Sequence, residues 1–149
     1  MSRAVTDARN LRGTYEIIEH TADIGICVKA RSLEKLFATA ACAMFDLMVD
    51  ISKVKPLDRA EISLEADSLE DLFVTWLNEL VFRADVSGMF FSRFEVASVN
   101  ETSLRASALG EPYDKRVHAV GEHVKAATYH QLEVSQADGN WVARVIFDV

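Results

Sequence analysis

Three side chains that could take part in chemistry lie together at a corner near the start of the sequence. His20, Thr21 and Asp23 separate two strand-like apolar runs, residues 15–18 and 24–30. A corner between strands is held by backbone on both sides, so an imidazole, a hydroxyl and a carboxylate there are pre-positioned. Asp and Thr are also common turn formers. The corner alone therefore leaves an ordinary turn as the alternative.

A second acidic group lies at the other end of the sequence. The side chain of Asp148 is followed by the α-carboxylate of Val149, and both carboxylates are ionised at neutral pH. If the last strand is paired, these two anions repel each other unless a cation lies between them. Together with Asp23 they form an all-oxygen set that suits Ca²⁺, Mg²⁺ or Mn²⁺ better than zinc. The alternative is a solvated Asp148 paired with Arg144 or Lys125.

Lys125 is the basic residue best placed to serve such a site. It falls on the polar face of a predicted strand, from which its ammonium could reach an anionic group, although surface lysines are common on such faces. His118, His123 and His130 lack the helical spacing of a zinc site, and we expect at least one to be a satisfied sheet residue. The sequence has no Gly-rich phosphate loop and no nucleophile elbow. These features predict a protein that is not a self-sufficient enzyme.

The amino-acid composition favours some kinds of binding partner over others. The net charge is −7, which argues against direct phosphate-driven binding of nucleic acid and favours a basic partner or a metal ion. Cys27 and Cys42 are predicted to be reduced core residues, as in a cytoplasmic protein. The sequence has neither a run of ~18 apolar residues that could span a membrane nor an apolar signal core.

The elements that must position these residues begin with two strands and a helix. Residues 15–19 and 24–31 alternate as strands, and Ser32 is a suitable N-cap for an amphipathic helix that reaches Val49. A second helix follows Ser68 and ends near Gly88. Because residues 67–73 repeat the pattern of residues 31–37, we expect two related strand–helix units whose helices pack side by side.

The rest of the chain favours extended structure. Alternating polarity predicts strands at residues 61–66, 90–99, 102–109, 124–134 and 141–149, with a functional loop at residues 110–115. The fold class is therefore α+β, a two-layer arrangement of a mostly antiparallel mixed β-sheet with two amphipathic helices packed on one face. We expect one domain over residues 15–149, preceded by a frayed, variable N-terminal leader at residues 1–14.

Several sequence blocks, taken in order, resemble the archease family. The resemblance covers residues 15–149, and the set of blocks is far more specific than any one of them. The blocks are Tyr-Glu-Ile-Ile-Glu-His-Thr-Ala-Asp-Ile-Gly at 15–25, Leu-Phe-x-x-Ala-Ala-x-Ala-Met-Phe at 36–45, Trp-Leu-Asn-Glu-Leu at 76–80, Gly-Glu-Pro-Tyr-Asp at 110–114, Val-Lys-Ala-Ala-Thr-Tyr-His at 124–130 and Arg-Val-Ile-Phe-Asp-Val at 144–149.

The resemblance implies an accessory protein. Archease-like proteins act with the tRNA-splicing RNA ligase, which joins 2′,3′-cyclic phosphate or 3′-phosphate ends to 5′-hydroxyl ends. They promote GTP-dependent guanylylation of the ligase histidine and hence multiple turnover. By resemblance, Asp23, Asp148 and Val149 match the divalent-metal site of the family, usually described as binding calcium. Lys125 matches a lysine associated with activation of the ligase, and His20 is a neighbouring candidate.

Two other functions stay open at this point. An older description of the family is a chaperone-like modulator of tRNA methyltransferases, which would act on the solubility or assembly of its partner. A metal-dependent hydrolase could use the same carboxylates, and it would turn over substrate without a partner.

Overall fold

The computed structural model describes residues 3–20 and 23–149, with residues 19 and 20 described by their backbone alone. Within these residues the chain forms nine strands and three α-helices, and the predicted α+β class is confirmed. The helices are α1 (Ala8–Leu11), α2 (Leu33–Met48) and α3 (Leu69–Ser87). The strands are β1 (Ala4–Asp7), β2 (Tyr15–His20), β3 (Asp23–Ala30), β4 (Asp58–Glu65), β5 (Met89–Val99), β6 (Ser103–Pro112), β7 (Ala126–Ala127), β8 (Glu133–Ala137) and β9 (Asn140–Asp148).

The described strands divide between two antiparallel sheets, whereas the sequence predicts one. A four-stranded sheet has the order β1-β5-β6-β4, and a five-stranded sheet has the order β2-β3-β9-β7, with β8 also pairing with β9. The two strand–helix units place their strands in different sheets. Strand β3, which precedes α2, lies in the five-stranded sheet, and β4, which precedes α3, lies in the four-stranded sheet.

The predicted helix ends are confirmed. The Ser32 hydroxyl accepts a hydrogen bond from the Lys35 backbone N–H, and the Ser68 hydroxyl accepts one from the Asp71 backbone N–H, each at 3.1 Å. These bonds satisfy backbone donors that the first turn of a helix leaves unpaired. Helix α3 ends at Gly88, whose φ of 66° is a left-handed conformation that glycine adopts at no steric cost.

The two long helices lie side by side, as predicted, and their apolar faces form the core. The Trp76 indole N–H on α3 donates to the Phe37 carbonyl on α2 at 2.9 Å, and the Phe37 and Phe73 rings meet edge to face at 5.2 Å. Helix α2 contacts strands of both sheets and is buried over most of its length. No helix in the described part of the chain is long and apolar enough to cross a membrane.

The expectation of a frayed N-terminal leader is wrong for the described part of that segment. Strand β1 pairs with β5, and the hydroxyl of the buried Thr6 lies 3.1 Å from the hydroxyl of Thr39 on α2. Leu11 on α1 packs into the core. Because the pairing partner of β1 lies far along the chain, the short apolar pattern at the N-terminus gives no local signal of it.

Residues 124–134 do not form the single strand that their alternation predicts. This segment contains β7 and the start of β8, which both pair with β9, and between them the chain turns at Gln131, whose φ is 52°. The alternation of apolar and polar residues continues through the turn because both short strands lie along the same side of β9. A non-glycine residue at positive φ gives no clear sequence signal of a turn.

Both cysteines are free, but only one is a core residue. Cys42 is buried, whereas Cys27 is half-buried, so the prediction of a core position is wrong for Cys27. It lies on the face of β3 opposite Ile26 and Val28, which are fully buried. Burial raises the pKa of both thiols and keeps them protonated at neutral pH.

Candidate functional site

Asp23 and Asp148 lie at the same end of two neighbouring strands. The last pair of the antiparallel ladder between β3 and β9 joins Ile24 to Phe147, and Asp23 precedes Ile24 while Asp148 follows Phe147. The two aspartates are therefore one step beyond this pair and on the same face of the sheet. Directly opposed Cβ atoms in antiparallel strands are about 4.5–5.5 Å apart, so the fold brings together two carboxylates from opposite ends of the chain.

Lys125 lies directly beside this acidic end. Its backbone N–H donates to the Asp148 carbonyl at 2.8 Å, and the next residue, Ala126, pairs with Asp148 in the ladder between β7 and β9. The Lys125 side chain is exposed. The side chain of Val149 packs against the core, which holds the end of this strand in place. One end of the five-stranded sheet therefore carries Asp23, Asp148, Val149 and Lys125.

His20 lies next to the acidic end in the chain, and the structure describes its backbone. Its backbone pairs with Asp23 across the β2–β3 hairpin, but its side chain lies outside the described residues, as do Thr21 and Ala22. The predicted part of His20 in partner activation therefore remains a prediction.

The acidic end has donors of the kind that a hard divalent cation binds. Asp23 and Asp148 are neighbours, and the Val149 main chain continues from Asp148, so all the candidate ligands are oxygens. Ca²⁺ takes 6–8 oxygen ligands, commonly including water, so the carboxylates of Asp23 and Asp148 fit as part of its shell. Among the described residues, no group of three or more His, Cys, Asp or Glu side chains forms a metal-binding cluster. The metal site therefore stays a prediction.

The structure does not contain the alternative ion pair between Asp148 and Arg144 or Lys125. Asp148 is exposed, and among the side chains that the structure describes, those of residues 3–18 and 23–149, no basic group forms an ion pair with its carboxylate. Arg144 is opposite Cys27 on β3 and Glu133 on β8, away from the acidic end. Within the described side chains, the negative charges of Asp23 and Asp148 therefore have no ion-pair partner.

Asn78 on α3 fixes strand β7, which directly follows Lys125, and the sequence alone did not indicate this role. Its side-chain Nδ2 donates to the Ala127 carbonyl at 3.1 Å, and its Oδ1 accepts from the Ala127 N–H at 2.7 Å. A peptide N–H only donates and a carbonyl only accepts, so this pair also defines the amide orientation. The only sequence signal was the position of Asn78 in the block at 76–80.

The residues after β7 extend this attachment. The Thr128 hydroxyl donates to the Ile146 carbonyl at 2.8 Å, and its backbone N–H donates to the same oxygen at 3.0 Å. The Tyr129 hydroxyl donates to Asp71 on α3 at 2.9 Å, and this bond raises the pKa of Tyr129. The segment from Lys125 to Tyr129 is thus held from both β9 and α3.

His118 is a satisfied buried histidine, but it lies in a turn and not in a strand. Its Nδ1 accepts from the Asp114 backbone N–H at 2.9 Å, so in the neutral ring Nε2 carries the proton and donates to Glu111 at 2.9 Å. The Lys55 backbone N–H and the His118 ring lower the pKa of Glu111. These contacts fold the loop after β6 and involve no residue of the acidic end.

Comparison with known sequences identifies relatives over nearly the whole chain. Residues 15–149 match the model of the archease protein family. A protein archease from Methanopyrus kandleri is 42% identical over 138 residues, covering 91% of this chain and 99% of that protein. A protein archease from Pyrococcus abyssi is 39% identical over 140 residues, covering 91% and 98%.

Solved structures agree with the sequence relatives. The solution structure of a Methanobacterium thermoautotrophicum protein superposes with a TM-score of 0.75 at 35% identity, covering 91% of this chain and 99% of that one. The crystal structure of an archease from Thermotoga maritima, described as a possible chaperone, has a TM-score of 0.63 at 21% identity over 90% and 96%, and it supports the fold alone. With the family model matched from residue 15 to residue 149, the chain belongs to the archease family.

Proposed function

We propose that this protein is an accessory activator of the tRNA-splicing RNA ligase that joins 2′,3′-cyclic phosphate or 3′-phosphate ends to 5′-hydroxyl ends. It promotes GTP-dependent guanylylation of the ligase and repeated turnover through an acidic divalent-metal site. The observation that carries this proposal is the juxtaposition of Asp23, Asp148 and Lys125 at one end of the five-stranded sheet.

Each of these residues has a distinct part. Asp23, Asp148 and the terminal carboxylate of Val149 would hold the cation through oxygen, and Ca²⁺ is the preferred ion, with Mg²⁺ or Mn²⁺ as alternatives. When bound, the cation supplies positive charge that offsets phosphate charge. Lys125 is exposed beside the same site, so its ammonium can contact a phosphate oxygen of GTP in the active site of the ligase.

Positioning and charge are the contributions that such a reaction needs most. Nucleotidyl and phosphoryl transfer depend mainly on aligned reactants and on neutralisation of charge as it develops. A rigid end of a sheet that presents carboxylates and an ammonium can supply both alignment and charge neutralisation without a nucleophile of its own. We therefore assign the catalytic residues to the ligase and treat this protein as a non-enzyme cofactor of it.

The partner and the compartment follow from the same proposal. With a net charge of −7, the protein is expected to bind the ligase and not the RNA directly. The two free cysteines suit a reducing, cytoplasmic setting. A second candidate, taken from the older description of the archease family to which the chain belongs, is a chaperone-like modulator of enzymes such as tRNA methyltransferases.

Multiple-turnover ligation tests the proposal. The cognate ligase, GTP and Mn²⁺ are assayed with substoichiometric wild-type protein, with Asp23→Ala or Asp148→Ala, and with Glu101→Ala as an exposed acidic control in the turn before β6. We expect stimulation by the wild type and the control, and none by the two site variants, all with unchanged melting temperatures. Stimulation by folded Asp23→Ala and Asp148→Ala would contradict the metal-site mechanism. No stimulation by the wild type would favour the chaperone-like function.

A further inference from the structure

A small apolar pocket lies between the end of α3 and the loop that leads to Lys125. Its volume is about 220 Å³, below the roughly 300–1,000 Å³ of pockets that hold drug-sized ligands. The apolar lining includes Met48, Phe90, Tyr113 and Val120. The size suits a single large apolar side chain from a protein better than a free small molecule. We call this feature the loop pocket.

The walls of the loop pocket are fixed by backbone hydrogen bonds. The Tyr113 N–H donates to the Gly88 carbonyl at 2.8 Å, and the Gly121 N–H donates to the Met48 carbonyl at 2.9 Å. A Cβ atom at Gly121 would lie 2.4 Å from the Leu47 carbonyl oxygen, so only glycine lets the loop approach α2 this closely. A pocket that is already formed costs little ordering when it is filled.

Apolar side chains at this pocket are unusually exposed. Val120 and Tyr113, which both line the pocket, are 58% and 44% exposed. Exposed apolar groups around a concavity are typical of a surface that a protein partner covers. An apolar anchor in a central pocket is the kind of contact that dominates the affinity of an interface.

The rim of the loop pocket is acidic and indicates the charge of the partner. Asp85 and Glu122 line the pocket and are exposed, and the one basic group in the lining, His123, lies 3.8 Å from Asp85. The whole chain is also acidic, with a net charge of −7. Two copies of the chain would bring these acids together, which disfavours self-association. Lysine or arginine next to the apolar anchor would complement the rim.

The loop pocket is continuous with the candidate functional site. The chain passes from Val120, Glu122 and His123 through the buried Val124 to Lys125, whose N–H binds the Asp148 carbonyl. A partner seated in the pocket would therefore lie next to the acidic end of the sheet.

We propose that the loop pocket docks a segment of the partner enzyme that presents one large apolar side chain flanked by lysine or arginine. The inference rests on the proposed function, in which that enzyme is the RNA ligase. The loop pocket supplies affinity, whereas Asp23, Asp148 and Lys125 supply activation.

The two roles separate in a titration of ligase stimulation. Val120→Ser and Glu122→Lys are compared with Leu57→Ser, an exposed apolar control, and with Glu101→Lys, an exposed acidic control. All variants are first checked for wild-type melting temperature. We expect each pocket variant to raise the concentration for half-maximal stimulation, and the dissociation constant for the ligase without GTP, by about tenfold. Maximal stimulation should stay unchanged, whereas Asp148→Ala should lose it.

Three results would overturn the inference. Wild-type affinity in both pocket variants would show that the ligase docks elsewhere while leaving the proposed function intact. Sedimentation of the protein alone as a dimer that Glu122→Lys dissociates would assign the pocket to a second copy of the chain. Absence of both binding and stimulation by the wild type would contradict the docking inference together with the proposed function.

Discussion

The side chain of Asn78 on α3 and the backbone of Ala127 on β7 form two reciprocal hydrogen bonds, at 2.7 and 3.1 Å. Strand β7 is only two residues long, so this contact and its pairing with β9 determine where it lies. Lys125 immediately precedes β7. A helix amide thus sets the position of the lysine that we assign to partner activation.

Replacing Asn78 should therefore affect both stability and activation. Asn78→Ala leaves the N–H and carbonyl of the buried Ala127 without their partner, which costs about 1–3 kcal/mol of the free energy of unfolding. We expect ligase stimulation to fall as well, because the Lys125 segment loses its attachment to α3. Urea unfolding and the ligation assay measure the two effects.

Gln136→Ala is the matched control for Asn78, since it removes an exposed amide on β8. Its unfolding free energy should change by less than about 0.5 kcal/mol. Equal stability of Asn78→Ala and Gln136→Ala would contradict the assigned role of Asn78.

The ion pairs around Glu95 on β5 predict that the protein loses stability at acidic pH. The carboxylate of Glu95 is buried, which opposes ionisation, but hydrogen bonds from Arg93, Arg59 and Arg3 outweigh this and lower its pKa below 4.5. A lowered folded-state pKa gives stability that is present above the unfolded pKa and is lost as the pH falls through the folded one. Unfolding free energies measured from pH 6 to pH 3 should therefore decrease, most steeply below about 4.5.

Glu95→Gln tests the source of that pH dependence. The neutral amide removes one titrating group, so the unfolding free energy should fall less between pH 5 and pH 3 than in the wild type, from a lower value at pH 6. Glu101→Gln, an exposed acid in the turn before β6, should leave the pH profile unchanged. A Glu95→Gln profile parallel to the wild type would refute the assignment.

Calcium should stabilise the protein through the acidic end of the sheet. A ligand that binds only the folded state adds about 2.7 kcal/mol at a hundred times its dissociation constant, so the melting temperature should rise as Ca²⁺ is added. Asp23→Asn and Asp148→Asn each remove one carboxylate and should abolish most of the rise. Glu101→Gln should retain it, and an equal rise in all four proteins would exclude this site.

Local chemistry made the helix boundaries predictable. Ser32 and Ser68 cap their helices as the sequence indicates, and Gly88 ends α3. The alternation of residues 24–30 also identified the core face, on which Ile26 and Val28 are fully buried. Each of these signals depends on neighbours a few residues away.

Contacts between distant residues were less predictable. Pairing of β1 with β5 and attachment of Ala127 to Asn78 join segments far apart in the chain, and nothing near them in sequence indicates the partner. The proximity of Asp23 and Asp148 was expected as a hypothesis, because both were placed on the polar faces of strands. The ladder that aligns them depends on the whole pairing of β3 with β9.

Lys125 should act through its charge at a defined position. Lys125→Ala should reduce stimulation of the ligase without changing the melting temperature, because the side chain is exposed and its backbone hydrogen bond to Asp148 is kept. Lys125→Arg keeps the charge but alters the donor geometry, so partial activity is expected. Full activity of Lys125→Ala would remove this residue from the mechanism.

The most direct measurement is the rate of covalent GMP transfer from labelled GTP to the ligase histidine, in a single turnover with saturating protein. The account predicts that the wild type accelerates guanylylation, and that Asp148→Asn and Lys125→Ala bind the ligase but do not accelerate it fully. Equal acceleration by the wild type and both variants would contradict the central claim that the acidic end of the sheet activates the partner.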